Sequence, residues 1–258
     1  MRNGAADISM RTSSYGGQAI KPGNHSKYMA IDFEKYYSDI FKIANRQIFA
    51  GDKVSIDNIF KIGFGYDWEF SSSLFNSGIE IDVFAFLVGS NGKVLSDNHI
   101  VFYNSDFRVY KDDHSKVVPA REFIDLKLRM ESCPVDPEIS VIGPYEDNTG
   151  AHPWEADDAI WNLNLNKVHP DVKQIIFYTN VFSSSHEKSY DGTNIVLKFY
   201  YPHQHGLETE YLYVISGNYS SYKTIEICSI NRTKDGWEIL PVRVEHPCIG
   251  DIIKKHLD

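Results

Sequence analysis

The chain has no run of lysine and arginine, and its 35 acidic residues outnumber its 26 basic ones. A net charge of -9 repels a phosphate backbone unless a basic face is segregated, so no nucleic-acid partner is expected. Only three cysteines occur, Cys133, Cys228 and Cys248. Their odd number and wide spacing suit neither a disulfide framework nor a zinc site, and reduced thiols in a cytoplasmic setting are the expectation. No stretch approaches the length of a membrane span, and Met1 to Lys21 lack the apolar segment of a secretory signal. The sequons at Asn24, Asn218 and Asn231 therefore read as chance matches. Phosphate-binding and dinucleotide loops are missing. The serines at 71–73 and 183–185 sit in no Gly-x-Ser-x-Gly elbow, so the chain is not expected to be an enzyme.

What is present points to strands. Aromatic residues make up 14% of the chain, and such side chains fit half-buried pleated surfaces. With 258 residues and 42% hydrophobic content, one core can be filled. In Ile79 to Val88, Ile79, Ile81, Val83, Ala85 and Leu87 face one way, and Glu80, Asp82, Phe84 and Phe86 face the other. The turn Gly89-Ser-Asn-Gly92 predicts a returning strand over His99 to Tyr103. Further strands are predicted at 174–182, 194–201, 208–216, 222–231 and 237–244, with Lys234-Asp-Gly236 turning between the last two. The expected fold is all-β, a two-sheet β-sandwich with a few short helices.

The domain is expected over 48–258, with an insertion near 106–145. Residues 124–130 alternate like a strand, and the rest of 105–158 reads as loop. The extension 1–47 is poor in large apolar residues up to about residue 30 and is expected to lack fixed structure there. A helix near 32–46 is predicted from the spacing of Phe33, Tyr37, Ile40, Phe41 and Ala44. A closing helix follows Pro247, with Ile249, Ile252, Ile253 and Leu257 on its apolar side.

The densest polar stretch is Glu146 to Asp158, where five carboxylates and one amide fall within thirteen residues around Gly150. Calcium takes six to eight oxygen ligands at flexible angles, which such a loop can supply; a solvated acidic loop has the same composition. Glu80 and Asp82 lie two apart on one strand face. A cation would relieve their repulsion, and so would exposure at a strand end. His203 and His205 share one face of an extended segment but have no third ligand nearby in sequence, and read as surface residues. Trp154, Trp161 and Trp237 read as packing groups.

Several segments, in order, resemble the TerD family of tellurite-resistance and stress proteins. Gly51-Asp-Lys-Val-Ser-Ile56 resembles its opening strand. Phe64-Gly-Tyr-Asp67 resembles its Gly-Trp-Asp segment, and Glu80-Ile-Asp82-Val-Phe-Ala-Phe-Leu87 its Asp-Leu-Asp signature. Val101-Phe-Tyr-Asn104 matches its Phe-Tyr-Asn, and Asn148 to Asp158 keeps the spacing of its acidic loop. The resemblance implies a calcium-binding β-sandwich that acts as a binding module in a stress response. Carried over position by position, it implies Asp82, Asp147, Asn148, Asp157 and Asp158 as ligands, with Glu80 where the family has Asp. Trp154 and Ala156 replace family aspartates, and Glu155 stands where the family has Gly and can reach in from its neighbouring position. Ca2+ and a protein partner of unknown identity are the implied ligands. The alternatives are an ion-free interaction module, and a metal-dependent hydrolase using the same carboxylates.

Overall fold

A computed structural model of the chain describes residues 44–68, 79–118, 131–144, 159–183, 193–201, 209–215 and 222–257. Two six-stranded sheets face each other. The first runs β1 (Ala44–Gln47), β13 (Thr209–Ile215), β12 (Thr193–Tyr200), β3 (Ile59–Trp68), β10 (Ala159–Asn164), β9 (Val141–Ile142). The second runs β2 (Val54–Ile56), β15 (Gly236–His246), β14 (Thr224–Thr233), β11 (Val172–Ser183), β4 (Ile79–Gly89), β5 (Ile100–Val101). The two-sheet sandwich expected from the alternating pattern is thus the observed architecture.

The core lies between the sheets. Phe60, Ile62 and Phe64 of β3, Trp161 and Leu163 of β10, and Ile195, Leu197 and Phe199 of β12 meet Val83, Ala85 and Leu87 of β4, and Ile175 and Phe177 of β11. The period of two delivers these groups to one side, and the hydrophobic effect does the rest. Phe84 and Phe86, which alternate with them, lie on the opposite face of the second sheet. There they pack with Val88, Ile100, Ile176 and Tyr178 beneath helix α1 (Ile249–Leu257). Strand β4 is therefore buried on both faces, which explains its near-continuous apolar run.

Four differences from the sequence expectation stand out. The region read as loop around 105–145 carries short strands. Among them β6 (Arg108–Tyr110), β7 (Asp113–Val117) and β8 (Ser132–Pro134) form a third, three-stranded sheet. They are too short to leave an alternation in the sequence. The guanidinium of Arg108, buried in this sheet, donates to the Ser132 hydroxyl and carbonyl and to the Tyr103 carbonyl. The returning strand after the Gly89–Gly92 turn is shorter than expected, because a 3-10 turn at Asp97–His99 precedes β5. Residues 44–46, the end of the predicted helix, belong to β1, which pairs in parallel with β13. The remainder of that helix, residues 1–30 and the predicted strand at 124–130 lie outside the described residues. In α1, Ile249, Ile252 and Ile253 face the sheet as predicted, whereas Leu257 is exposed and His256 is buried in its stead.

Candidate functional site

The outer face of the second sheet changes character along β4. Beyond Phe84, towards the start of the strand, comes the half-buried Asp82. Directly across from it on β11 is Asn180, across from Asn180 on β14 is Thr224, and across from Thr224 on β15 is His246. Four adjacent strands thus place one polar side chain each in a single row. Asn180 and Thr224 are buried, and the Thr224 hydroxyl donates to Asn180 Oδ1 at 2.7 Å. Such a bond fixes the amide orientation of Asn180 beside the carboxylate of Asp82.

The neighbouring row holds Phe84, Tyr178, Glu226 and Val244. The Tyr178 hydroxyl lies 3.3 Å from Glu226 Oε2 and 3.2 Å from His256 Nε2 of α1. His246 Nε2 lies 3.9 Å from the same Glu226 carboxylate. Burial dominates the protonation of all four groups. It pushes the Glu226 carboxyl and the Tyr178 phenol up, and the His246 and His256 imidazoles down. Burial thus shifts each group towards its neutral form relative to the free side chain.

A second polar group ties the β4–β5 connection to residues 131–144. The Ser96 hydroxyl meets His99 Nδ1 at 2.8 Å, and the buried His99 presents Nε2 to Glu138 Oε2 at 3.3 Å. Asp136 accepts from the Ser140 and Val141 amides and from the Ser140 hydroxyl, closing the turn that carries Ile139 at φ 52°. A β-branched residue with positive φ is strained, and the carboxylate bonds hold it in place. No pattern in the sequence singles out this group or the Tyr178–Glu226–His256 group, because each is assembled from residues far apart in the chain.

Of the residues predicted as ligands, Asp82 lies in the polar row, and Glu80 takes its place in β4 opposite Phe182. Asp147, Asn148, Glu155, Asp157 and Asp158 lie outside the described residues, as do Trp154, His203 and His205. Among the described residues no three His, Cys, Asp or Glu side chains are gathered closely enough to hold a metal ion. The strands that flank the acidic segment are described. The segment leaves from Pro144, just after β9, and enters β10 at Ala159, which pairs with Phe64 of β3. From there β3 runs on to Trp68, and residues 69–78 link it to the start of β4, three residues before Asp82. Of the residues on either side of the acidic segment, the described Ala159 pairs with Phe64 in the last half of β3, and Asp82 lies in the first half of β4, the next strand in the chain.

All three cysteines are unpaired; Cys133 and Cys228 are buried, and burial pushes the Cys133 thiol up to about 11. Among the described residues, no helix is long and apolar enough to cross a membrane.

The two facing sheets define an all-β sandwich protein with a polar row at one end of an outer face. The family described as TerD domain matches residues 47–115, from the end of β1 through most of β7, a span that includes β4 and Asp82. The TerD resemblance read from the sequence is borne out over that stretch, in a divergent chain. Among solved structures, the protein of unknown function SAV2460 is similar at 12% identity and a TM-score of 0.49, over 78% of this chain and 100% of that one. A homologue of the telluride resistance protein TerD, SCO6318 from Streptomyces coelicolor A3(2), is similar at 9% identity and a TM-score of 0.44, over 73% of this chain and 90% of that one.

Proposed function

We propose that this chain is a calcium-binding β-sandwich module of the TerD kind, in a stress-response setting, that presents an ion-ordered loop to a protein partner. What supports it is that the described strands β9 and β10, between which the acidic segment runs, belong to the same sandwich as the β4 strand that carries Asp82. Asp82 stands within the TerD match. In this reading Asp82 supplies one carboxylate from a rigid strand. Asp147, Asn148, Glu155, Asp157 and Asp158 supply the remaining oxygens, with Glu80 reaching in from the same strand face. Buried Asn180, held by Thr224, orients Asp82 from behind. Calcium tolerates a mixed ligand set of this kind, since its coordination is flexible and oxygen-rich. The chain acts by binding and not by turnover.

The replacement of family aspartates by Trp154 and Ala156 favours a second reading, an ion-free interaction module. Isothermal calorimetry and thermal melting with calcium separate the two. Binding that Asp147→Ala and Asp158→Ala abolish supports the first reading. No heat and no shift at millimolar calcium establishes the second.

A further inference from the structure

The last turn of α1 is fastened at one residue. His256 is 2% exposed, and its carbonyl accepts from the Val94 amide at 2.9 Å. Its Nδ1 meets the Gly92 carbonyl at 2.8 Å, and the Lys93 ammonium donates to the neighbouring Lys255 carbonyl at 3.0 Å. Its Nε2 faces the Tyr178 hydroxyl, which also faces Glu226. Ile249, Ile252 and Ile253 join the apolar cluster of Phe84, Phe86 and Ile176, and the His256 ring lies 5.2 Å from that of Phe86. A nine-residue helix has little stability of its own in water, so its docking depends on these contacts.

The hydrogens in this chain of contacts can be counted. A carbonyl only accepts, so Nδ1 of His256 carries a hydrogen towards Gly92. In a neutral imidazole Nε2 then only accepts, and the Tyr178 phenol must donate to it. The phenol has one hydrogen. If Glu226 is ionised, it competes for that same hydrogen, and one of the two contacts is left unmade. One added proton completes both: Glu226 donates to the phenol oxygen, the phenol donates to His256, and His256 donates to Gly92. The half-buried Glu226 and the buried His256 are then both uncharged.

We propose that α1 is held by a proton-tuned clasp, in which one proton carried on the Glu226–Tyr178–His256–Gly92 chain fastens the helix over the apolar outer face of the second sheet. The charged and titratable groups facing the clasp are Lys93 from the turn, Lys255 and Asp251 from the helix, and His246 and Glu245 from β15. Burial raises the Glu226 carboxyl above its unfolded value. Its contribution is therefore fully present below that value and is lost as pH rises through the docked one. Burial lowers His256, so its contribution is lost as pH falls from the ordinary imidazole range through the docked value. The two limbs run in opposite directions with pH, so the Glu226 limb is read as the difference between wild type and Glu226→Gln, in which the His256 limb is common to both. Opening of the clasp bares Phe84, Phe86 and Ile176.

The test is amide hydrogen exchange of the C-terminal peptide in the full chain, corrected for the intrinsic rate at each pH. Relative to Glu226→Gln, opening of α1 in the wild type is expected to become several-fold more frequent between about pH 5 and about pH 8, because the His256 contribution is common to both. In Glu226→Gln the amide donates to the phenol as the protonated carboxyl does, so the loosening that ionisation of Glu226 causes as pH rises is lost. In Tyr178→Phe the helix opens often at both pH values, while β12 on the other sheet keeps its protection. A Glu226→Gln variant whose protection changes with pH as that of the wild type does overturns the proposal, and this result decides the matter even if Tyr178→Phe does not fold.

Discussion

Trp161 of one sheet stands edge-on to Phe177 of the other, with ring centroids 5.3 Å apart and an interplanar angle of 89°. Phe64 approaches the same phenylalanine at 5.8 Å. These rings join the two sheets at the centre of the core. Truncating Phe177 to Ala should cost about 3–5 kcal/mol, because a cavity opens between layers that cannot close on it. The indole nitrogen of Trp161 is buried without a hydrogen-bond partner. Trp161→Phe loses area but also removes a donor that is costly to bury, so its cost should stay near ~1–2 kcal/mol. Urea unfolding measures both. Equal losses for the two variants would show that the indole nitrogen carries no penalty.

Gly143 is required for packing and not for a turn. A Cβ there would lie 2.9 Å from Pro134 Cγ and 3.3 Å from Trp161 Cη2. Gly143→Ala should therefore destabilise by about 1–3 kcal/mol, as overpacking does. Gly250→Ala is the control. Its new methyl would lie 3.7 Å from Cys248 Sγ, within α1, where alanine is the better helix former. The control is expected to be neutral or slightly stabilising, and urea unfolding of the two variants checks both.

The Asp136 carboxyl is pushed up to about 6, chiefly by burial and partly by the neighbouring Glu138, against the hydrogen bonds it accepts from Ser140 and Val141. A raised carboxyl contributes stability that is fully present below its unfolded value and is lost as pH rises through about 6. Asp136→Asn keeps an acceptor for the amides and cannot ionise. The stability difference between variant and wild type should therefore move in favour of the variant between about pH 4 and about pH 7. A difference that stays constant over that range would mean that Asp136 remains ionised throughout.

Calcium at millimolar concentration is expected to raise the melting temperature, and magnesium much less, because magnesium needs a tight octahedral cage and gives up water reluctantly. At roughly a hundred times its dissociation constant an ion adds about 2.7 kcal/mol by mass action. Asp82→Asn should weaken the calcium shift while leaving the ion-free protein folded. Asn180→Ala should weaken it less, since that residue acts only by orienting Asp82. An undiminished shift in Asp82→Asn would remove that aspartate from the ligand set.

The predicted strands over 79–88, 174–182 and 222–231 match β4, β11 and β14 closely, because a strand buried on at least one face must alternate or be apolar throughout. The turn at Lys234-Asp-Gly236 was equally legible, since Gly236 adopts φ 138°, which other residues resist. The short strands of the third sheet were not, because three to five residues carry too little period to read. Neither was β1, whose pairing with β13 is a long-range contact that no local pattern encodes.

The same division holds for the sites. Sequence alone determined the alternation of β4, the TerD resemblance that singles out Asp82, and the acidic loop, all of which are properties of neighbours along the chain. Only the tertiary structure decided what stands beside Asp82. Strand register sets Asn180, Thr224 and His246 in its row, from positions about 100 to 160 residues away in sequence. Likewise His256 is one histidine among ten until the helix is docked. Burial then sets its protonation, and the single hydrogen of Tyr178 links it to Glu226. Hydrogen bonding and desolvation act between groups that the fold brings within about 3 Å, and chain order carries no record of such distances.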